Sequence, residues 1–146
     1  MVDLTVVILT KNEEKNLPRW LAAVQSFADE MIVVDTGSSD RSKDIAQGGG
    51  AKVFDFKWIN DFSAAKNFAL SKARGRWIVF PDADEDFDEA SQKRLPALLK
   101  ELEKNNILGV TCPLVDIDVD DNNRVMGTIV QLRIFRNLPQ LRYQGY

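Results

Sequence analysis

Four short apolar runs, each followed by a polar turn and then by a helical pattern, constrain this chain more than any other feature. The runs are Leu4 to Thr10, Met31 to Val34, Lys52 to Asp55 and Arg76 to Phe80. β-branched residues dominate the first two, and the run ending at Phe80 stops at Pro81, so these segments read as buried strands. The polar segment Asn12-Glu13-Glu14-Lys15-Asn16 is suited to opening a helix after the first run. Leu17, Trp20, Leu21, Val24, Phe27 and Ala28 then fall on one side of a 3.6-residue period, the stripe of an amphipathic helix packed on a core. A short helix through Ile45 and Ala46 is expected to stop at Gly48-Gly49-Gly50. A third helix, capped by Asp61 or Ser63, is expected through Ala64 to Leu70 and to end near Gly75. Strand and helix alternating in units of about thirty residues predict an α/β fold, a mostly parallel, doubly wound sheet flanked by helices, with right-handed crossovers.

The pattern changes beyond Asp88. Leu95, Leu98, Leu99 and Leu102 keep helical spacing, but Pro96 lies among them. A proline inside a helix costs ~3 kcal/mol, so a break is expected there, with Pro96 opening a new helical segment. From Ile107 onward the residues favour extended chain. Leu108 to Asp118 and Arg124 to Phe135, separated by the turn signal Asp120-Asp121-Asn122-Asn123, predict a C-terminal β-hairpin appended to the parallel sheet.

A chain of 146 residues suits a single domain, and 45% hydrophobic with 28% charged residues excludes a disordered chain. The formal net charge of -3, with no basic tract, leaves no electrostatic footprint for nucleic acid. The single cysteine, Cys112, cannot form a disulfide within the chain and reads as a small buried hydrophobe. Histidine is absent, which removes the commonest general base and metal ligand. The amino terminus has no basic region ahead of an apolar core, and no apolar run approaches the ~18 residues of a membrane span. A cytoplasmic protein without a transmembrane segment is expected, with peripheral attachment at the inner face of a membrane left open.

The run Trp77 to Pro81 delivers Asp82-Ala83-Asp84, two carboxylates one residue apart. In open α/β sheets, ligands bind at the carboxyl ends of the strands, which is where these acids fall. Two carboxylates ~4 Å apart at an effective dielectric of ~20 repel by on the order of 4 kcal/mol, so a cation between them is the economical explanation. A hard divalent ion that also bridges to phosphate fits carboxylate oxygens. Glu85, Asp86, Asp88 and Glu89 extend the acidic run, and the bland alternative is a solvated turn. The same predicted rim receives Thr10-Lys11-Asn12-Glu13 and Asp35-Thr36-Gly37-Ser38. Asp35 is placed like the acid that accepts hydrogen bonds from ribose or base in nucleotide-binding sheets; its plainer role is capping the next helix. Gly37 and Ser38 lie where backbone N–H groups are free at a helix start, a turn suited to an anion. No Gly-x-Gly-x-x-Gly follows the first run and no Gly-Lys-Ser/Thr loop occurs, so dinucleotide and P-loop sites lack their fingerprints.

Four segments together carry a resemblance. Val7-Ile8-Leu9-Thr10-Lys11-Asn12-Glu13-Glu14, Ile32-Val33-Val34-Asp35-Thr36-Gly37-Ser38-Ser39-Asp40, Phe62-Ser63-Ala64-Ala65-Lys66-Asn67 and Pro81-Asp82-Ala83-Asp84-Glu85 resemble, in order, the motifs of inverting family 2 glycosyltransferases with the GT-A fold. The nearest flavour is that of bacterial lipopolysaccharide-core glucosyltransferases and of transferases linked to helical repeats. The resemblance implies a donor site in which Thr10, Asn12 and Glu13 border base and ribose, Asp35 faces the base, and Gly37, Ser38 and Ala83 line the nucleotide sugar. Lys66 would reach the diphosphate, where relatives often carry arginine; the charge is kept and the bidentate fork lost. Asp82 would contact ribose or metal, and Asp84 would coordinate Mn²⁺ or Mg²⁺. The implied partner is a nucleotide-diphosphate sugar, typically UDP-linked, with the acceptor (glycan, lipid-linked sugar or protein) unassigned.

The resemblance also implies that residues 1–146 are one nucleotide-sugar-binding domain, truncated at Gln144-Gly145-Tyr146 before the acceptor-binding region. The general base is then expected beyond Tyr146, and none of Asp116, Asp118, Asp120 and Asp121 is assigned to it. Two alternatives carry different expectations. A non-catalytic nucleotide-sugar or metal binding module would bind the donor without transfer. Val34-Asp35-Thr36-Gly37-Ser38-Ser39 also resembles the loop of homodimeric aspartic proteases, but those enzymes are all-β and this chain reads as α/β.

Overall fold

The computed structural model describes residues 3–83, 85, 87–118, 120–122 and 124–144. The described elements are β1 (Leu4–Thr10), α1 (Leu17–Val24), β2 (Glu30–Asp35), α2 (Ser42–Gly48), β3 (Lys52–Asp55), α3 (Phe62–Lys72), β4 (Trp77–Val79), α4 (Glu89–Lys104), β5 (Gly109–Asp118) and β6 (Arg124–Arg136). They form one sheet in the order β3-β2-β1-β4-β6-β5. The strands β1 to β4 are mutually parallel, whereas β6 runs antiparallel to both β4 and β5. Strand order reverses at β1, which has β2 on one side and β4 on the other. In α/β folds such a reversal leaves a crevice at the carboxyl edge of the sheet, where ligands bind.

Strand residues alternate between two apolar layers. Leu4, Val6 and Ile8 of β1, with Trp77 and Val79 of β4, pack under α1 and α4. Val7 of β1, Ile32 and Val34 of β2 and Ile78 of β4 pack under Ala69 and Leu70 of α3. Both faces are apolar because both are covered, which is why these strands read as continuous runs. This parallel α/β architecture overturns the aspartic protease alternative, which needs an all-β chain.

Two expectations are corrected in detail, and a choice the sequence left open is decided. The stripe from Leu17 to Ala28 is helical only as far as Val24. Bonds from Ser26 N–H to Ala23 and from Phe27 N–H to Val24 tighten the chain there, and Phe27 and Ala28 pack on the core from beyond the helix end. Asp61, not Ser63, caps α3, accepting from the Ala64 N–H at 3.0 Å. Pro96 lies inside a continuous α4 instead of opening a new segment. Leu95, Leu99 and Leu102 are buried on both sides of the proline, and packing of that face outweighs the one backbone bond the proline cannot donate. The hairpin forms as expected, joined to the parallel strands through β6. Among the described residues, no helix is long and apolar enough to cross a membrane.

At the amino-terminal edge, opposite the crevice, Glu30 is buried and bonded to the Thr5 hydroxyl (2.8 Å), Lys52 Nζ (2.7 Å), the Arg74 N–H (2.9 Å) and Arg74 Nε (3.0 Å). Burial alone would raise its pKa, but these donors outweigh it and hold the carboxyl at about 2 instead of 4.5. Its stabilisation is therefore complete above pH 4.5 and is lost as pH falls from there toward 2. Because the Lys52 and Arg74 heads are partly solvated, Glu30→Gln should cost about 2 kcal/mol at neutral pH. Urea midpoints of the wild type and variant should converge as pH is lowered through this window; a gap that stays constant refutes the linkage.

Candidate functional site

The carboxyl ends of β1 and β2 are stitched into one unit. Asp35 is 2% exposed, and its carboxylate accepts from the Thr10 hydroxyl (3.1 Å), the Ser38 hydroxyl (2.5 Å), the Gly37 N–H (3.1 Å) and the Ser38 N–H (2.8 Å). Burial pushes this carboxyl up, yet the hydrogen bonds, led by that of the Ser38 hydroxyl, hold it below the ordinary value. Gly37 has φ of 118°, a conformation the turn demands and side-chain-bearing residues resist. Asn12, at φ 56°, accepts through Oδ1 from the Ser39 N–H at 2.8 Å, while its own N–H donates to Ser38 Oγ at 2.8 Å. The Glu13 N–H donates to Ser42 Oγ at 2.8 Å, and the Ser42 hydroxyl donates to Asp40. Thr10, Asn12, Glu13, Asp35, Gly37 and Ser38 are thus brought together, as the sequence led one to expect. Both Asp35 oxygens are engaged within the protein, by Thr10 of β1 and by Gly37 and Ser38 of its own loop, and Asp40, not Asp35, bonds the first N–H of α2.

A second group forms beyond β4. The ammonium of Lys66, on α3, sits 4.7 Å from the Tyr143 ring centre and 5.6 Å from that of Phe80. Desolvation lowers the Lys66 pKa; Asp82 opposes this and Arg133 adds to it, so all three share one electrostatic neighbourhood. Among the described residues, no oxygen lies within hydrogen-bond distance of this ammonium. Arg133, on β6, grips Glu85 through Nη2 (2.6 Å) and Nε (3.3 Å) and reaches Asp82 at 3.4 Å. The Arg133 side chain is 12% exposed, whereas that of Asp82 is 60% exposed. Burial works against the guanidinium charge, but Glu85 more than compensates and raises its pKa. Ala83 is buried among α4-side core residues rather than facing solvent. Asp84, expected as a metal ligand, lies outside the described residues. Among those described, no three acidic or cysteine side chains converge on a point that could hold a metal ion.

Arg133, Glu85 and Tyr143 were not singled out from the sequence. Glu85 stood inside a quoted motif, but its partner is 48 residues away, and no local pattern announces such a pair. Beside Glu85 and Arg133, a cavity of about 470 Å³ opens between α4 and the hairpin, walled mainly by apolar residues including Leu95, Leu98 and Val110. Cys112 faces it, half-buried, with its thiol pKa raised by burial, consistent with a packing role.

The sequence profile of glycosyl transferase family 2 matches residues 5–145. A TPR repeat-containing protein of Synechococcus elongatus is 37% identical over 144 residues, covering 99% of this chain and 34% of that protein. The first 349 residues of S. aureus TarS superpose with a TM-score of 0.61 at 24% identity, covering 69% of this chain and 33% of that one. Glucosyl-3-phosphoglycerate synthase from Mycobacterium tuberculosis, in complex with Mn²⁺, UDP and glucosyl-3-phosphoglycerate, gives a TM-score of 0.57 at 24% identity, covering 69% of this chain and 39% of that one. The chain spans about a third of the length of the curated relatives it matches.

Proposed function

This chain belongs to glycosyl transferase family 2, with the GT-A fold, and from that premise we propose that it binds a UDP-linked sugar donor on its carboxyl edge for transfer with inversion. The observation that carries the reading is Lys66. A half-buried ammonium that rests on ring faces, and whose N–H groups meet no oxygen among the described residues, is suited to an anionic ligand. The diphosphate of the donor supplies that anion. Lys66 would hold charge as it builds on the leaving diphosphate, an interaction that strengthens toward the transition state. The stitched loops bearing Thr10, Asn12, Glu13, Gly37 and Ser38 would border the nucleoside. Asp35 would act on it by fixing the shape of that loop.

Among the described residues, the carboxylate of Asp82 has the chemistry to ligate a hard divalent ion. Asp82 keeps its carboxylate largely exposed, with one long contact to Arg133, and oxygen ligands of this kind suit Mn²⁺ or Mg²⁺. Asp82 and Asp84 would hold the ion, which when bound supplies neutralisation of the diphosphate charge. The acceptor and the base that takes its proton are left unassigned.

Calorimetry tests the proposal. UDP should bind in the presence of Mn²⁺ or Mg²⁺ at least about tenfold more tightly than in its absence, a difference of ~1.4 kcal/mol, because diphosphate beside unscreened carboxylates is repelled. Asp82→Ala should abolish most of that difference. Equal affinity with and without the ion would sink the metal-assisted reading.

A further inference from the structure

We propose that Tyr143 is a positioning residue for Lys66, setting the place and dehydration of the ammonium that meets the donor diphosphate; this rests on the donor reading above. Lys66 and Tyr143 belong to segments far apart in sequence, and three sets of contacts hold them together. The Tyr143 ring lies 4.7 Å from the ammonium, on the same cation that Phe80 faces at 5.6 Å. The ring is itself fixed edge-to-face against Phe80 (5.8 Å between centroids) and Phe135 (6.3 Å). Its backbone is tied to the residue after Lys66: Asn67 Nδ2 donates to the Tyr143 carbonyl at 2.9 Å, and the Tyr143 N–H donates to Asn67 Oδ1 at 2.8 Å. One side chain on α3 thus satisfies both backbone groups of Tyr143, 76 residues downstream.

The physical consequence is pre-organisation. A free lysine head is strongly hydrated and samples many rotamers, so binding an anion must both order it and strip its water. Here the Tyr143 ring occupies one side of the ammonium. Desolvation lowers the Lys66 pKa, and the charge of Asp82 opposes that shift. The arrangement supplies by packing part of what a lysine lacks beside an arginine, whose planar fork is stiff by itself. Tyr143 touches no reacting atom; it acts through Lys66.

The experiment compares UDP with UMP and uridine, each titrated into the full chain with Mg²⁺ present. Only UDP presents the diphosphate for Lys66. Tyr143→Leu, which keeps an apolar side chain but removes the ring, should weaken UDP by roughly fivefold while leaving UMP and uridine within about twofold of wild type. Tyr143→Phe retains the ring face and should bind UDP like wild type. Asn67→Ala frees the Tyr143 backbone without touching its ring and should show the same selective loss for UDP, which guards against a Tyr143→Leu chain that fails to fold. Tyr143→Leu with wild-type UDP affinity, or an equal loss for all three ligands, overturns the proposal while leaving the donor reading intact. A wild-type chain that binds none of the three ligands instead refutes the donor reading, and the positioning role with it.

Discussion

Gly75→Ala is expected to destabilise the domain by about 4 kcal/mol. A Cβ at this position would lie 2.6 Å from Thr5 Oγ1, 2.7 Å from the Thr5 backbone nitrogen and 3.0 Å from the Trp77 carbonyl oxygen. Two of these three atoms are backbone of β1 and β4, which are adjacent parallel strands, so no rotamer change relieves the clash. The same approach carries hydrogen bonds: the Gly75 N–H donates to the Thr5 hydroxyl at 2.9 Å, and its carbonyl accepts from Asn137 at 2.9 Å. Thr5 in turn donates to Glu30. A methyl group therefore separates two strands and loosens a buried polar network together. Urea unfolding should report the change as a lowered midpoint at constant m-value. A Gly75→Ala variant within about 1 kcal/mol of wild type would mean that β1 and β4 do not approach as described.

Asp35→Ala should cost on the order of 3 kcal/mol and remove nucleoside binding, because it leaves two backbone N–H groups and two hydroxyls of the loop without their acceptor. Asp35→Asn is the informative companion. Its amide oxygen can still take the Gly37 and Ser38 N–H groups, and its amide nitrogen can donate to the hydroxyls of Thr10 and Ser38, so about 1 kcal/mol should be lost. If Asp35 works by shaping its loop, the asparagine variant keeps most of its uridine affinity. If its charge meets the base directly, uridine affinity collapses in both variants although the asparagine variant loses far less stability. Stability also follows pH in a defined direction. The depressed Asp35 carboxyl contributes above the ordinary aspartate range and loses that contribution as pH falls through its folded value, so the alanine variant should approach wild type in acid.

The alternation of strands and helices was legible because it rests on short-range periodicities. β1 and β3 have the limits expected of them, and the acids of Asp35 and Asp82 fall at strand ends because Val34 and Phe80 close buried runs. The Thr10, Asn12 and Asp35 grouping was legible for the same reason: parallel neighbours deliver their following loops to one edge. Other features had no local sign. Pro96 predicted a break that does not occur, since propensity speaks for one turn of chain and the packing of Leu95, Leu99 and Leu102 for the whole helix. That Asp35 faces inward depends on which donors surround its two oxygens, something spacing along the chain does not encode.

The sequence by itself determined the α/β class, the hairpin at its end and the edge on which acids, Asn12 and Gly37 gather, because hydrophobic period and turn chemistry act within a few residues. Only the tertiary structure decided that β6, not β5, lies beside β4. From that pairing follow Arg133 on Glu85 and Asp82 and, a few residues on, Tyr143 over Lys66. These partners are 48 to 77 residues apart, and burial with hydrogen bonding across the folded sheet selects them.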